Sequence, residues 1–274
     1  MTALSARTSA YLALARVNAA TVLAYRTDYF VGLIGLLLQI FLLRVVWTAV
    51  YDAAGTGSVT SSGGEPVTLA TMIAYATLAS LQHWLFNPWN FSVIPQRVRE
   101  GKIAIDLARP VRFLGQVVAG QVGTTAAMAP FALLALPLAV LVGGAQAPAS
   151  FGAGVAYVVS LVLAYLVTVL LSSLVGLTAF WTLEVSGFFV IYRMVSQFMA
   201  GALVPLWFMP DWLRTIAELL PFQAATYTPV ALYLGRDDVG WQSLALQVLW
   251  IGVLWLALRF VWSRALHRVV VQGG

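Results

Sequence analysis

The sequence predicts an all-α integral membrane protein with six transmembrane helices. Three observations predict it. Of the 274 residues, 61% are apolar, against about 45–50% in a soluble domain. Six stretches approach or exceed the ~20 apolar residues that a helix needs to cross a bilayer core. The basic residues between them divide unevenly, as membrane topology requires. No internal repeat or low-complexity segment divides the chain, so it reads as one domain over 1–274. Its parts are a lead-in (1–28), a bundle (29–263) and a tail (264–274).

The lead-in carries Arg7, Arg16 and Arg26, which interrupt any signal-peptide core. Within "AYLALARVNAATVLAYR", Tyr11, Leu14, Val22 and Tyr25 can share one helical face, with Arg16 and Asn18 turned elsewhere. That pattern suits an amphipathic helix at the membrane interface, or a plain helical approach to the first span. The expected spans are 29–50, 67–90, 114–142, 151–181, 185–207 and 241–263. A Gly/Ser-rich loop precedes the second, and "GGAQAPAS" separates the third from the fourth.

Six spans put both termini on one side. That side holds 12 of the 15 Lys and Arg, and the other holds Arg44, Arg214 and Arg236. Lys and Arg collect in the cytoplasm. The expectation is therefore a multi-pass plasma-membrane protein with both termini cytoplasmic.

One cytosolic connection stands out. "IPQRVREGKIAIDLARPVRF" holds Arg97, Arg99, Lys102, Arg109 and Arg112 with Glu100 and Asp106, in a chain only 9% charged. Pro95 can begin a helical turn, Pro110 ends one, and Gly101 allows a break between. A basic loop is what any inside connection collects. Val98, Ile103, Ile105 and Leu107 are left over by that reading and suit contact with a soluble partner. Both readings stand on the residues alone.

Other polar positions are few. Gln82, His83, Asn87 and Asn90 lie at the end of the second span, where Pro88 should kink it. They can line a path or bond neighbouring helices. Glu184 sits at the turn between spans four and five, as a hydrated cap or partner contact. Arg44 reaches the outer interface or pairs within the bundle, and Arg193 belongs to the cytosolic end of span five or to the bundle interior. Beyond span five, Pro205, Pro210, Pro221 and Pro229 break the chain, and "PDWLRTIAELLP" places Trp212, Leu213, Ile216, Leu219 and Leu220 at helical spacing. With "FQAATYTPVALYLG" it makes two short pieces that dip into the outer leaflet or lie on it.

The missing motifs narrow the function. The only lysine, Lys102, lacks the glycine spacing of a phosphate-binding loop. Metalloprotease and calcium-loop spacings are absent, and there are no cysteines. The basic residues fall between apolar runs, which argues against nucleic acid. An ion-driven transporter or channel would prefer carboxylates or histidine in mid-span, where only His83 is a candidate. A membrane-embedded enzyme would need a cluster of acids, bases or metal ligands, and none is visible.

"VREGKIAIDLARPVRFLGQ", after a Trp-rich second span, resembles the permeases of ABC-2-type ATP-driven transporters. So does "GALVPLWFMPDWLRTIAELLPFQAATYTPVALYLG", with its Gly-x-x-x-Pro…Pro…Leu-Pro-Phe pattern. The resemblance covers essentially the whole chain, and especially suggests the roughly 270-residue bacterial permeases that often work as one of two non-identical halves. It implies an exporter subunit operating by alternating access, partnered by ABC ATPase subunits and a second permease chain. No cofactor would bind this chain; ATP and Mg would sit on the ATPase. It implies a coupling helix formed by Arg97, Arg99, Glu100, Gly101, Lys102, Ile103, Asp106, Leu107 and Arg109, with Glu184 at a second contact. It implies a re-entrant outer segment marked by Gly201, Pro205, Pro210, Trp212, Pro221 and Phe222. Gln82, His83 and Asn87 remain candidates for the pathway or for helix packing.

Overall fold

The computed structural model describes residues 3–55, 57–86, 92–144, 146–182 and 186–272. Helix α1 (Ala3–Ala24) leads through a bend at Tyr25 into α2 (Arg26–Ala54). Strands β1 (Ser58–Thr60) and β2 (Pro66–Thr68) then form an antiparallel hairpin, with Val59 opposite Val67. This small sheet departs from the all-α expectation. Its cause is local: β-branched residues flank a Ser/Gly turn.

Helix α3 (Leu69–Phe86) is the interior helix, buried almost continuously from Met72 to Gln82. Two short helices follow, α4 (Ile94–Arg99) and α5 (Ile103–Ala108), then α6 (Phe113–Gly143) and α7 (Phe151–Gly176). A 3₁₀ turn, Leu177–Phe180, extends α7. Next come α8 (Ser186–Met199), a 3₁₀ turn Leu206–Phe208, α9 (Asp211–Leu219), a 3₁₀ turn Gln223–Ala225 and α10 (Tyr227–Leu234). The last helix, α11, covers Trp241–Gln272, so it continues through most of the expected tail.

Among the described residues, four helical stretches are long and apolar enough to cross a membrane: Thr27–Ala54, Phe113–Gly143, Phe151–Phe180 and Trp241–Arg268. Each has 28 to 31 residues, or about 42–46 Å of helix against a hydrocarbon core of ~30 Å. Their outer faces are apolar: Leu141 is 76% exposed and Phe151 89%. Such a surface calls for lipid or protein cover rather than water. α3 has 18 described residues and spends its apolar surface inside the bundle.

Two expectations need correction. The fifth segment, 185–207, is not one helix. α8 has 14 residues, about 21 Å, and the chain turns at Gly201 (φ 76°) before Pro205. Trp207 is thereby folded back into the protein, where it is fully buried. In the lead-in, the half-buried stripe of α1 is Tyr11, Leu14, Ala15, Asn18 and Ala19, ending in buried Val22, while Tyr25 is exposed. Asn18 falls on this face one turn after Leu14, and its amide is satisfied there by bonding back to the Leu14 carbonyl at 2.9 Å. The stripe packs along α6. Gly123 permits it, since a side chain there would strike the Ala15 backbone.

The core has two main ends. One gathers Tyr51, Val67, Tyr75, Trp207 and Tyr227, so the hairpin and the segment after α8 share it. The other gathers Ile94, Ile103, Phe113, Leu177, Phe180, Leu258 and Ala265, so α4, α5 and the far ends of α7 and α11 share that one.

Candidate functional site

The charged bracket folds as α4 and α5, a helical pair turned at Gly101, whose φ of 66° suits glycine. Pro95 lies in the first turn of α4, where its missing N–H costs nothing. Ile94 and Ile103 point inward and join the core. α4 also packs against the 3₁₀ turn after α7, and Gly176 leaves room there for Ser92 and Ile94.

Asp106 is the organising charge. It is buried, and its Oδ1 lies 3.4 Å from Arg97 Nη1 and 3.2 Å from Arg109 Nη1. Gln116 of α6 completes the clamp. It donates to the Asp106 carbonyl at 2.8 Å and accepts from Arg109 at 3.0 Å. One carboxylate thus ties both short helices to the start of α6. Tyr11 of α1 adds a tie, accepting the Arg112 backbone N–H at 3.1 Å.

What remains outside is a mixed surface. Arg99, Glu100, Gly101 and Lys102 are exposed, as are Ile105 (64%) and Leu107 (37%). Glu100 accepts from Lys102 at 2.7 Å and from Gln96 at 2.8 Å. These hydrogen bonds hold its carboxyl below the usual carboxylate range. The apolar residues of the bracket therefore split: Ile103 serves the core, while Ile105 and Leu107 face out. Glu184 and Asn87 lie outside the described residues.

The opposite end is closed by aromatic packing. Trp207 meets Tyr75 edge-on with ring centroids 4.7 Å apart, and Tyr227 at 5.6 Å. The Arg236 guanidinium lies 4.8 Å from the Trp207 ring centre and pairs with Glu65 of the hairpin at 2.5 Å. Ser62 donates twice to the Trp207 carbonyl, from its N–H at 2.8 Å and its hydroxyl at 2.9 Å. Arg214 turns inward to Glu218 (2.6 Å) and Asp238 (3.3 Å). Trp212, Ile216 and Leu219 of α9 consequently face outward. Gly201 and Pro205 turn the chain into this segment, Pro210 precedes α9, and Pro221 and Phe222 lead to the next 3₁₀ turn.

That last turn, Gln223–Ala225, has irregular backbone that needs partners. Side-chain amides supply them. Gln82 of α3 donates to the Ala225 carbonyl and Gln247 of α11 to the Ala224 carbonyl at 2.8 Å, while the Gln223 side chain donates back to the Glu218 carbonyl of α9 at 2.7 Å. Gln247 also bonds Ser160 of α7. Gln82 is thus a helix-bonding residue, and Gln247 is a partner that sequence reasoning missed. The signal was a lone amide in an apolar run.

His83 pairs with Gln197 of α8 at 2.7 Å. Beside them is a small pocket of about 40 Å³ reached also by Thr168, Phe222 and Thr226. Arg193 of α8 is exposed. Arg44 bonds the Val142 carbonyl at the end of α6 at 2.8 Å, where a cation suits the helix terminus.

Long apolar helices, an apolar exterior and these two finished ends define a multi-pass membrane protein. The sequence model described as "ABC-2 family transporter protein" matches residues 33–273. The chain belongs to this family, and so to the permease components of ABC transporters, which are transport subunits rather than catalytic ones. No curated protein matches the chain.

Proposed function

We propose that this chain is one half of the membrane pathway of an ATP-driven exporter, coupled through α4 and α5 to a separate ATPase and paired with a second permease chain. ATP and Mg belong to the ATPase in this reading. The observation that supports it most is the bracket: a clamped helical pair that keeps Ile105 and Leu107 outside among basic side chains. A purely topogenic loop has no use for that arrangement. The clamp can pass a push on α5 to α6 through Asp106 and Gln116, and to the ends of α7 and α11 through Ile94 and Ile103.

The six-span topology, with α3 and α8 as spans two and five, belongs to this proposal. Exposed Arg193 on the short α8 needs an aqueous path or a partner rather than lipid. His83, Gln197 and Arg193 then mark the pathway side, and the outer 3₁₀ turns and α9–α10 form a re-entrant closure.

The test is Ile105→Ser with Leu107→Ser. All basic residues remain, so insertion should be unchanged. Burying what these side chains still expose contributes about 1.5–3 kcal/mol together, or roughly ten- to hundredfold in ATPase retention. Wild-type retention and transport at matched expression would leave the bracket a topogenic loop. Sidedness is tested separately, since the chain has no cysteine. Gly57→Cys should react with an impermeant thiol reagent on intact cells, and Ala104→Cys only after permeabilisation. The reverse pattern would end the topology.

A further inference from the structure

Between α1, the bracket and the first half of α6 lies a cavity of about 230 Å³, far more than one water requires. Its two kinds of wall differ. Arg97, Asp106, Arg109 and Gln121 supply polar lining, and Leu14, Tyr29 and Val93 supply apolar lining. Asp106 is a single negative charge shared by two guanidiniums. The charged wall is therefore left with net positive charge. Among the described residues, the hydrogen bonds of both arginines run through Nη1, to Asp106 and Gln116. Their remaining N–H groups are available, on side chains still 36% and 38% exposed.

We propose that this cavity binds a phosphate ester, and that its source is the headgroup of an anionic phospholipid. Two guanidinium forks on one wall match phosphate oxygens in a way that lysines would not. The apolar wall decides between sources. A free phosphate would leave Leu14, Tyr29 and Val93 against water, whereas the glycerol and first methylenes of a lipid would cover them. The lipid would lie between α1 and the bracket and so tie the lead-in helix to the element that α5 caps. Placing the cavity at the inner headgroup level rests on the topology proposed above.

Native mass measurement of the full chain, in detergent doped with phosphatidylglycerol or with phosphatidylcholine, tests this. Inorganic phosphate is the third arm. The expectation is retention of one phosphatidylglycerol at least about tenfold more tightly than phosphatidylcholine. Thr124→Phe should abolish that preference by filling the cavity; the Thr124 hydroxyl bonds only its own helix, to Gly120. Should that variant fail to fold, Thr21→Phe fills the same space from α1, and its hydroxyl likewise bonds its own helix, at Val17. Equal retention of the two lipids, or a preference that survives filling, would overturn the site. Displacement of phosphatidylglycerol by millimolar phosphate would overturn the lipid as its source. No ATPase or transport enters this measurement, so its failure leaves the permease reading intact. A wrong topology would appear in the thiol labelling instead, with the lipid preference retained.

Discussion

At the bracket end, two six-residue helices turn on Gly101 and leave Ile105 64% exposed. At the opposite end, α9 and α10 follow a chain that turns on Gly201 and removes Trp207 from solvent altogether. Both ends are short helices joined by bends. They differ in what holds them. The bracket is held by one buried carboxylate between two half-exposed arginines, with two isoleucines beneath. The other end is held by packed aromatic rings around the fully buried Trp207, with Arg236 over its ring and the Arg236–Glu65 and Arg214–Glu218 pairs at the margin. Ion pairs clamp an element while leaving its surface for other contacts. Aromatic packing fills the space beneath the segment, and the outer face of α9, with Trp212, Ile216 and Leu219, is left exposed there. The difference suits a part that is engaged from outside at one end and a closed part at the other.

The largest effect should come from Trp207→Ala. A fully buried aromatic truncated in a packed core costs about 3–5 kcal/mol. The unfolding midpoint of the purified chain in detergent should fall well below that of the wild type. A change under about 1 kcal/mol would mean the ring is not packed, and the contrast between the ends would fail.

Asp106→Asn should come next. It keeps the shape and removes the charge that both guanidiniums share. Because Arg97 and Arg109 are half-exposed and can hydrate, the cost should be about 1–2 kcal/mol rather than that of a fully buried pair. A loss as large as that from Trp207→Ala would show the bracket to be as rigid as the far end.

How far these ends could be read in the sequence follows from the same physics. The bracket was visible as an island of charge, and Pro95, Gly101 and Pro110 marked its turns. Which apolar residues face inward was not visible. Ile103, Ile105 and Leu107 sit on a helix of six residues, too short for periodicity to fix its phase, and only the shared core of Phe113, Leu177 and Phe180 selects Ile103. Burial of Asp106 was hidden too, because a carboxylate among arginines reads as solvated. In the other segment the prolines marked the breaks. Trp207 stood at the end of the expected span 185–207, since nothing local records that Tyr75, 132 positions earlier in the chain, is its neighbour. The end of α8 was legible in Gly201 and Pro205, and length alone had carried the expected span past them.

The smallest effect sharpens the comparison most, because it concerns a charge that is not part of the clamp. Glu100 lies on the exposed turn, and Lys102 and Gln96 hold its carboxyl below the ordinary 4.5 by hydrogen bonding. A depressed carboxyl pKa means that the folded chain takes up this proton less readily than the unfolded one. Its contribution is therefore complete above the unfolded value and is lost as the pH falls through the lower folded value. Glu100→Gln should accordingly differ slightly from the wild type at neutral pH, and the difference should close as the pH drops below 4.5. Salt at about 1 M shortens the screening length to ~3 Å and should also close it, because the pair is exposed. The cost of Asp106→Asn should survive the same salt, since that carboxylate is buried. Unfolding midpoints of the three proteins at two salt concentrations and across the acidic range measure both. If Glu100→Gln proves salt-resistant, or its effect grows toward acid, then the exposed turn belongs to the clamp. The bracket would then have no free outer face, and Ile105 and Leu107 would have to be read as part of a fixed structure.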